Sequence, residues 1–196
     1  GDAIQLFGPD SISRVPLNLP HTTFVWDGAM DLETHQLFLA TSTQEILVVD
    51  LDTQPFTIQP VVSLPTGWQF AVANPLLVNP KEQTLYVQVK REDTPIINGL
   101  EVDEVWVYDA ATWVQQSTLE LREQLTKAPL NLPDNRAGID LTNYGLALSP
   151  NGQSVYSISR RGLLEINKDT SNSLQGTWIN INGEDPGSFE WKFVIP

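Results

Sequence analysis

Apolar residues fall along this chain in short runs separated by polar turns, and the order of runs and turns recurs. In "AMDLETHQLFLATSTQEILVVDLDT", residues 29–53, an apolar run meets a polar turn and then the apolar-aromatic pair Leu37-Phe38. A break, a second apolar run and a turn ending in Thr follow. The same order appears in "LLVNPKEQTLYVQVK", residues 76–90, which resumes after a gap as "DEVWVYDAAT", residues 103–112. It appears again in "LALSPNGQSVYSISRRGLLEINKDT", residues 146–170, with the pair Val155-Tyr156. Pro80 precedes Tyr86 by six positions, as Pro150 precedes Tyr156 and Leu32 precedes Phe38. Runs of this length, rich in Val, Ile, Tyr and Phe and bounded by Asp, Asn, Gly and Pro, predict strands. Helical spacing is nearly absent, and only "STLELREQLTKA" predicts a short helix.

Each repeat carries four predicted strands, a to d. The N-terminal "AIQLFGPDSISRVPLNLP" matches strands c and d, and the C-terminal "GSFEWKFVIP" matches strand a. The expected organisation is strands c–d over 1–20, a blade over 21–65, and a blade with an inserted b–c loop over 66–121. An inserted d–a loop over 122–143, a blade over 144–183 and a first strand over 184–196 complete it. Antiparallel four-stranded units at a period of roughly 40–50 residues build β-propellers. One blade has two apolar faces and buries them only against neighbours, so "ILVVD" and "EVWVYD" are apolar on both sides. Pro16, Pro55 and Pro60 fall in predicted d strands, the outer edge, where a missing N–H costs little.

"LALSPNGQSVYSIS", "LLVNPKEQTLYVQV" and "DEVWVYDAAT" resemble blades of YVTN-type propellers and of the quinoprotein amine dehydrogenase heavy-chain-like superfamily. The resemblance implies an all-β propeller, exported to a periplasmic or extracellular space. It also admits the propeller subunit of a quinone-dependent amine dehydrogenase, or a lactonase-like metal-dependent hydrolase. The shared motifs are structural, and fold analogy alone does not carry function. Such propellers have about six to eight blades, more than three full repeats supply. Either the chain is one part of a longer propeller, the preferred expectation, or its terminal strands share a closing blade in a small ring.

Charge and composition narrow the function classes. Over 196 residues, 24 acidic against 11 basic side chains give a net charge of −13, which disfavours phosphate backbones and anionic membranes as partners. No apolar run is long enough to span a membrane, and no basic, Leu-rich leader opens the sequence. Cysteine is absent, which removes disulfides, thiolate chemistry and Cys-based metal sites.

Strand direction places b–c and d–a connections at one end of every blade. The two longest, 91–103 and 122–143, therefore share a face, and long loops in compact domains are commonly functional. His21, Trp26, Thr43, Gln44, Arg91, Arg136, Arg160 and Arg161 map to the same end. The arginines are scarce positive charges on an acidic molecule and suit carboxylates, or else balance neighbouring acids. The expected role is a non-catalytic scaffold for a protein partner, a remaining propeller segment or an extracellular polymer. His35 maps to the opposite end, so the two histidines do not share a site, and no Ser-His-Asp signature is present. No cofactor is expected. Calcium is the one ion considered, on Asp134 and Asp140 or on Asn167 and Asp169, and neither stretch fits a twelve-residue calcium loop. Trp106 and Trp191 are expected between blades; Trp26, Trp68 and Trp113 are expected near strand ends.

Overall fold

A computed structural model of the chain describes residues 3–7, 12–17, 19–20, 22–71, 74–95, 101–126, 143–159, 162–168 and 174–179. Strands β1 (Ala3–Phe7) and β2 (Ile12–Pro16) form a hairpin. β3 (Val25–Asp31), β4 (Gln36–Thr41), β5 (Glu45–Asp50) and β6 (Thr57–Ser63) form a sheet in that order, the first complete blade. The second contains β7 (Trp68–Phe70), β8 (Leu76–Asn79), β9 (Thr84–Arg91), β10 (Glu104–Asp109) and β11 (Gln115–Leu119). β7 and β8 both pair with β9 and together make one interrupted inner strand. The short helix α1 (Leu121–Thr126) follows β11. The third blade is β12 (Asn143–Leu148), β13 (Val155–Ser159), β14 (Gly162–Lys168) and β15 (Leu174–Ile179), again in sequence order.

First strands β3, β8 and β12 lie side by side in succession, and β11 meets β15 further out. The sheets therefore stack face to face around a common inner edge. Period-two alternation sends each strand's side chains to two different cores. Phe38, Ala40, Ile46 and Val48 of blade one meet Leu85, Val87, Val89, Trp106 and Tyr108 of blade two. From the other face of blade two, Tyr86, Val105, Val107 and Leu119 meet Val155, Leu164 and Ile166 of blade three. Leu39, Leu47 and Val49, on the remaining face of blade one, are met by Leu17 just past β2. This accounts for strands that read as continuous apolar runs.

The repeated turn residues close the hairpins through their own side chains. Asp31 Oδ1 accepts N–H bonds from Glu33 at 2.8 Å and Thr34 at 3.2 Å. Asp109 Oδ1 accepts from Ala111 N at 3.0 Å and Thr112 N at 2.8 Å. Ser149 Oγ accepts from Gln153 N at 3.1 Å and Ser154 N at 2.9 Å. Short polar side chains at turns do this work generally. At Asp109, the Thr112 backbone and hydroxyl bonds, then the Ala111 bond, hold the carboxyl below its usual range.

Polar ties lock blade to blade. At the a–b end, Asn79 Nδ2 donates to Gly152 O at 2.9 Å and Lys81 Nζ to Asn151 O at 2.7 Å. Gly152 has φ +71°, and a Cβ there would stand 2.9 Å from Lys81 Cδ, so the glycine of "SPNG" suits both turn and interface. At the opposite end, Leu76 N donates to Asp27 Oδ2 at 3.0 Å and Phe70 N to Gln44 Oε1 at 3.1 Å.

Three expectations need correction. Pro55 lies in the turn before β6, after a cis Gln54–Pro55 bond, whereas Pro60 is within β6 and Pro16 ends β2. The closing turn that ends in Thr170 starts later than expected, because β14 continues through Lys168 and pairs Asn167 with Gln175. The expected helix in "STLELREQLTKA" is confined to α1, its first half forming β11. Trp106 lies between blades as expected; Trp191 lies outside the described residues.

Candidate interaction face

The b–c and d–a connections of blade two emerge together, and the strand ends beneath them carry a closed set of contacts. β7 pairs with the end of β9 so that Trp68 stands opposite Arg91. The Arg91 guanidinium lies 5.0 Å over the Trp68 ring. Its Nη2 donates to Glu104 Oε1 at 3.2 Å. Glu104 Oε2 accepts the Trp106 indole N–H at 2.6 Å, and the Trp106 and Trp68 rings meet at 4.8 Å, tilted by 58°. Trp68, Arg91, Glu104 and Trp106 thus form a ring of four contacts.

Only 7% of the Glu104 side chain is exposed, against 52% for Arg91. Burying a carboxylate is costly unless its oxygens are bonded, and here each oxygen has a donor. Arg91 presents its outer side to solvent while its geometry is fixed from below. The two acids at the start of the c strand divide the work. Asp103, also buried, accepts the Arg91 backbone N–H on Oδ2 at 2.7 Å and pairs through Oδ1 with Arg122 Nε in α1. Arg122 N also donates to Asp103 O at 2.9 Å. The start of the d–a connection is therefore fastened to the end of the b–c connection. Among the described residues, Arg122 Nη1 is buried without a hydrogen-bond partner.

Glu120 completes the cluster. The pairing of Val105 with Leu119 sets Glu120 across from Glu104. Desolvation first, then the charge of Glu104, raise its carboxyl pKa; Arg91 opposes this, while Glu123 and a hydrogen bond with Glu104 reinforce it.

Trp26 and Phe24 reach the same end from the start of β3, beside the turn 42–44, since Phe24 exchanges hydrogen bonds with Ser42. Trp26 is 56% exposed. Gln44 serves as an interblade acceptor through its side chain. His35 sits at the opposite end, with Nδ1 2.9 Å from Asp52 Oδ1. His21, Arg136, Arg160, Arg161, Asp134, Asp140 and Asp169 lie outside the described residues. Asn167 is half-buried in β14. Among the described residues, no three His, Asp or Glu side chains converge as a metal site. The roles of Trp68, Glu104, Asp103, Glu120 and Arg122 at this face were not foreseen from sequence. The visible signal was "EVW", which puts Glu104 and Trp106 on one side of a strand.

No protein-family model and no curated protein matches the chain. Solved structures do. A putative 6-phosphogluconolactonase from Bacteroides uniformis aligns with 89% of this chain and 46% of its own, at 12% identity and TM-score 0.54. The Myceliophteria thermophila Cps50 (Swd1) β-propeller domain aligns with 72% of this chain and 40% of its own, at 12% identity and TM-score 0.45. A mitotic checkpoint complex structure aligns with 93% and 75%, at 10% identity and TM-score 0.34. The chain thus spans less than half the length of the first two structures. It has the fold of a partial β-propeller, and likeness at this identity extends to the fold alone. No helix among the described residues is long and apolar enough to cross a membrane.

Proposed function

We propose that the chain is a rigid propeller scaffold, of the YVTN-type or quinoprotein-like kind, that binds a protein or extracellular polymer in an exported setting. The binding face is the end bearing connections 91–103 and 122–143, with Trp26, Arg91, His21, Arg136, Arg160 and Arg161 as the residues to test. The carrying observation is that exposed Trp26 lies at the same end as a half-exposed Arg91 already held by Trp68 and Glu104. Tryptophan and arginine dominate binding energy at interfaces, and prior fixation lowers the entropy lost on association. A photo-crosslinking residue placed at position 26, with a control at Glu33 on the opposite end, tests this in an extract of the source cells and their surface polymers. A discrete adduct at 26 and none at 33 supports the reading; equal labelling overturns it.

A hydrolase is the second reading, favoured by one observation: the adjacent carboxyls Glu104 and Glu120, one with a raised pKa, as acid–base catalysis requires. Proton release from a simple lactone, compared between the protein and its Glu120→Gln variant, separates the two. The scaffold reading expects no turnover from either.

A further inference from the structure

Blades one and two share a backbone frame at the end that carries the b–c connections. In blade one, Gln44 N donates to Thr41 O at 3.1 Å, and Gln44 O accepts Leu64 N at 2.9 Å. In blade two, Asp103 N donates to Val89 O at 2.8 Å, and Asp103 O accepts Arg122 N at 2.9 Å. Asp103 therefore stands where Gln44 stands, and Arg122 where Leu64 stands. The frame belongs to the repeat, and in blade one it closes with uncharged residues. What differs is the length of chain it holds. Two residues separate Thr41 from Gln44, and thirteen separate Val89 from Asp103.

Asp and Arg in place of Gln and Leu add side-chain bonds to that frame. Asp103 Oδ2 accepts Arg91 N at 2.7 Å, and Oδ1 accepts Arg122 Nε. Two donors, one on each oxygen, require a carboxylate; an amide has one acceptor oxygen and would turn its NH2 on the other donor. Asp103 is 5% exposed, and its neighbour Val102 and Leu121 beside Arg122 are buried in one core cluster. A carboxylate is kept at such a place by its cation, and removing one partner strands the other. One buried group thus holds both the end of β9 and the first turn of α1. The Arg91 guanidinium lies over Trp68 from a backbone fixed in this way.

We infer that Asp103 is a positioning residue of the interaction face, a clasp through which Arg122 of α1 fixes the backbone of Arg91. The inference rests on the reading of this end as the binding face. A partner that grips α1 steadies Arg91, and by reciprocity one that engages Arg91 steadies α1. The partner therefore meets the starts of the two connections, at Arg91 and at α1, as one surface.

Backbone amide exchange of the free protein tests the clasp. Arg122→Leu copies the apolar residue of blade one, keeps the backbone bond to Asp103 and removes the cation. The Asp103 carboxylate is then driven toward water and away from Arg91 N. Exchange at the Arg91 amide should quicken by roughly tenfold or more, the scale of a stranded buried hydrogen-bonding group. Val87, buried at the middle of β9, should keep its rate. Arg122→Lys, which returns a cation, should restore most of the protection at Arg91. An Arg91 amide unmoved by Arg122→Leu, equal quickening at Arg91 and Val87, or no recovery in Arg122→Lys would each overturn the inference. No partner enters this measurement, so its failure is distinct from failure of the crosslinking test at position 26.

Discussion

The guanidinium of Arg91 lies over the Trp68 ring while its Nη2 bonds Glu104, the carboxylate that also accepts the Trp106 indole N–H. Each member holds two others, so the cost of removing one exceeds its own contact. Arg91→Ala leaves one Glu104 oxygen buried without its donor. The expected loss is about 1–3 kcal/mol, the range for a stranded buried polar group. Arg91→Lys should recover only part of it, because an ammonium neither stacks on an indole nor presents a planar fork. Urea unfolding followed by tryptophan emission measures both; equal stability of Arg91→Ala and the parent protein would remove the ring of contacts as a stabilising unit.

Glu120 makes stability depend on pH in an unusual direction. Its folded pKa is raised above the ordinary 4.5, chiefly by desolvation and by Glu104. Between the unfolded and folded values the native state therefore holds more proton than the unfolded state. By linkage, stability from this group is present below the unfolded pKa and falls as pH rises through the folded one. Glu120→Gln should flatten that fall, measured as unfolding midpoint against pH above 4.5. A steeper fall in the variant would contradict a raised Glu120 carboxyl. The group is largely exposed, so the effect is small.

The blade order was legible because the repeating turns carry local physics. Asp31, Asp109 and Ser149 announce hairpins by bonding backbone N–H groups two to five residues on, and that needs no tertiary information. The paired apolar faces of "EILVVD" and "EVWVYD" announced neighbours on both sides for the same reason. The cluster at the interaction face was not legible. Arg91 and Glu104 are separated by an insertion whose length hides their register, and Trp68 reaches them only because β7 extends the inner strand past residues 71–75. Pro55 was assigned to a strand because its run continues apolar into β6, whereas the hairpin turn extends one residue beyond it.

Gly145 is the glycine whose replacement should cost most. Its φ is +123°, and a Cβ would stand 3.0 Å from Asn74 Cβ, across the contact between the inner strands of blades two and three. Gly145→Ala should lose about 1–3 kcal/mol, since strain and crowding act together. Gly176→Ala is the comparison: its Cβ would meet only the Leu164 side chain, at 3.1 Å, with no positive φ. A larger loss at 176 than at 145 would contradict this ranking.

Two tryptophans separate stability from recognition. Trp106 is buried between blades one and two, with its indole N–H on Glu104. Trp106→Ala should cost about 3–5 kcal/mol, the range for emptying a large aromatic site. Trp26 stands at the start of β3 with more than half its surface in solvent, so Trp26→Ala should stay within about 0.5 kcal/mol of the parent. The same Trp26→Ala chain should lose the adduct-forming partner in competition against the parent protein. A stable variant that competes as well as the parent would move recognition away from Trp26, and a strongly destabilised one would show that this exposed ring serves the fold.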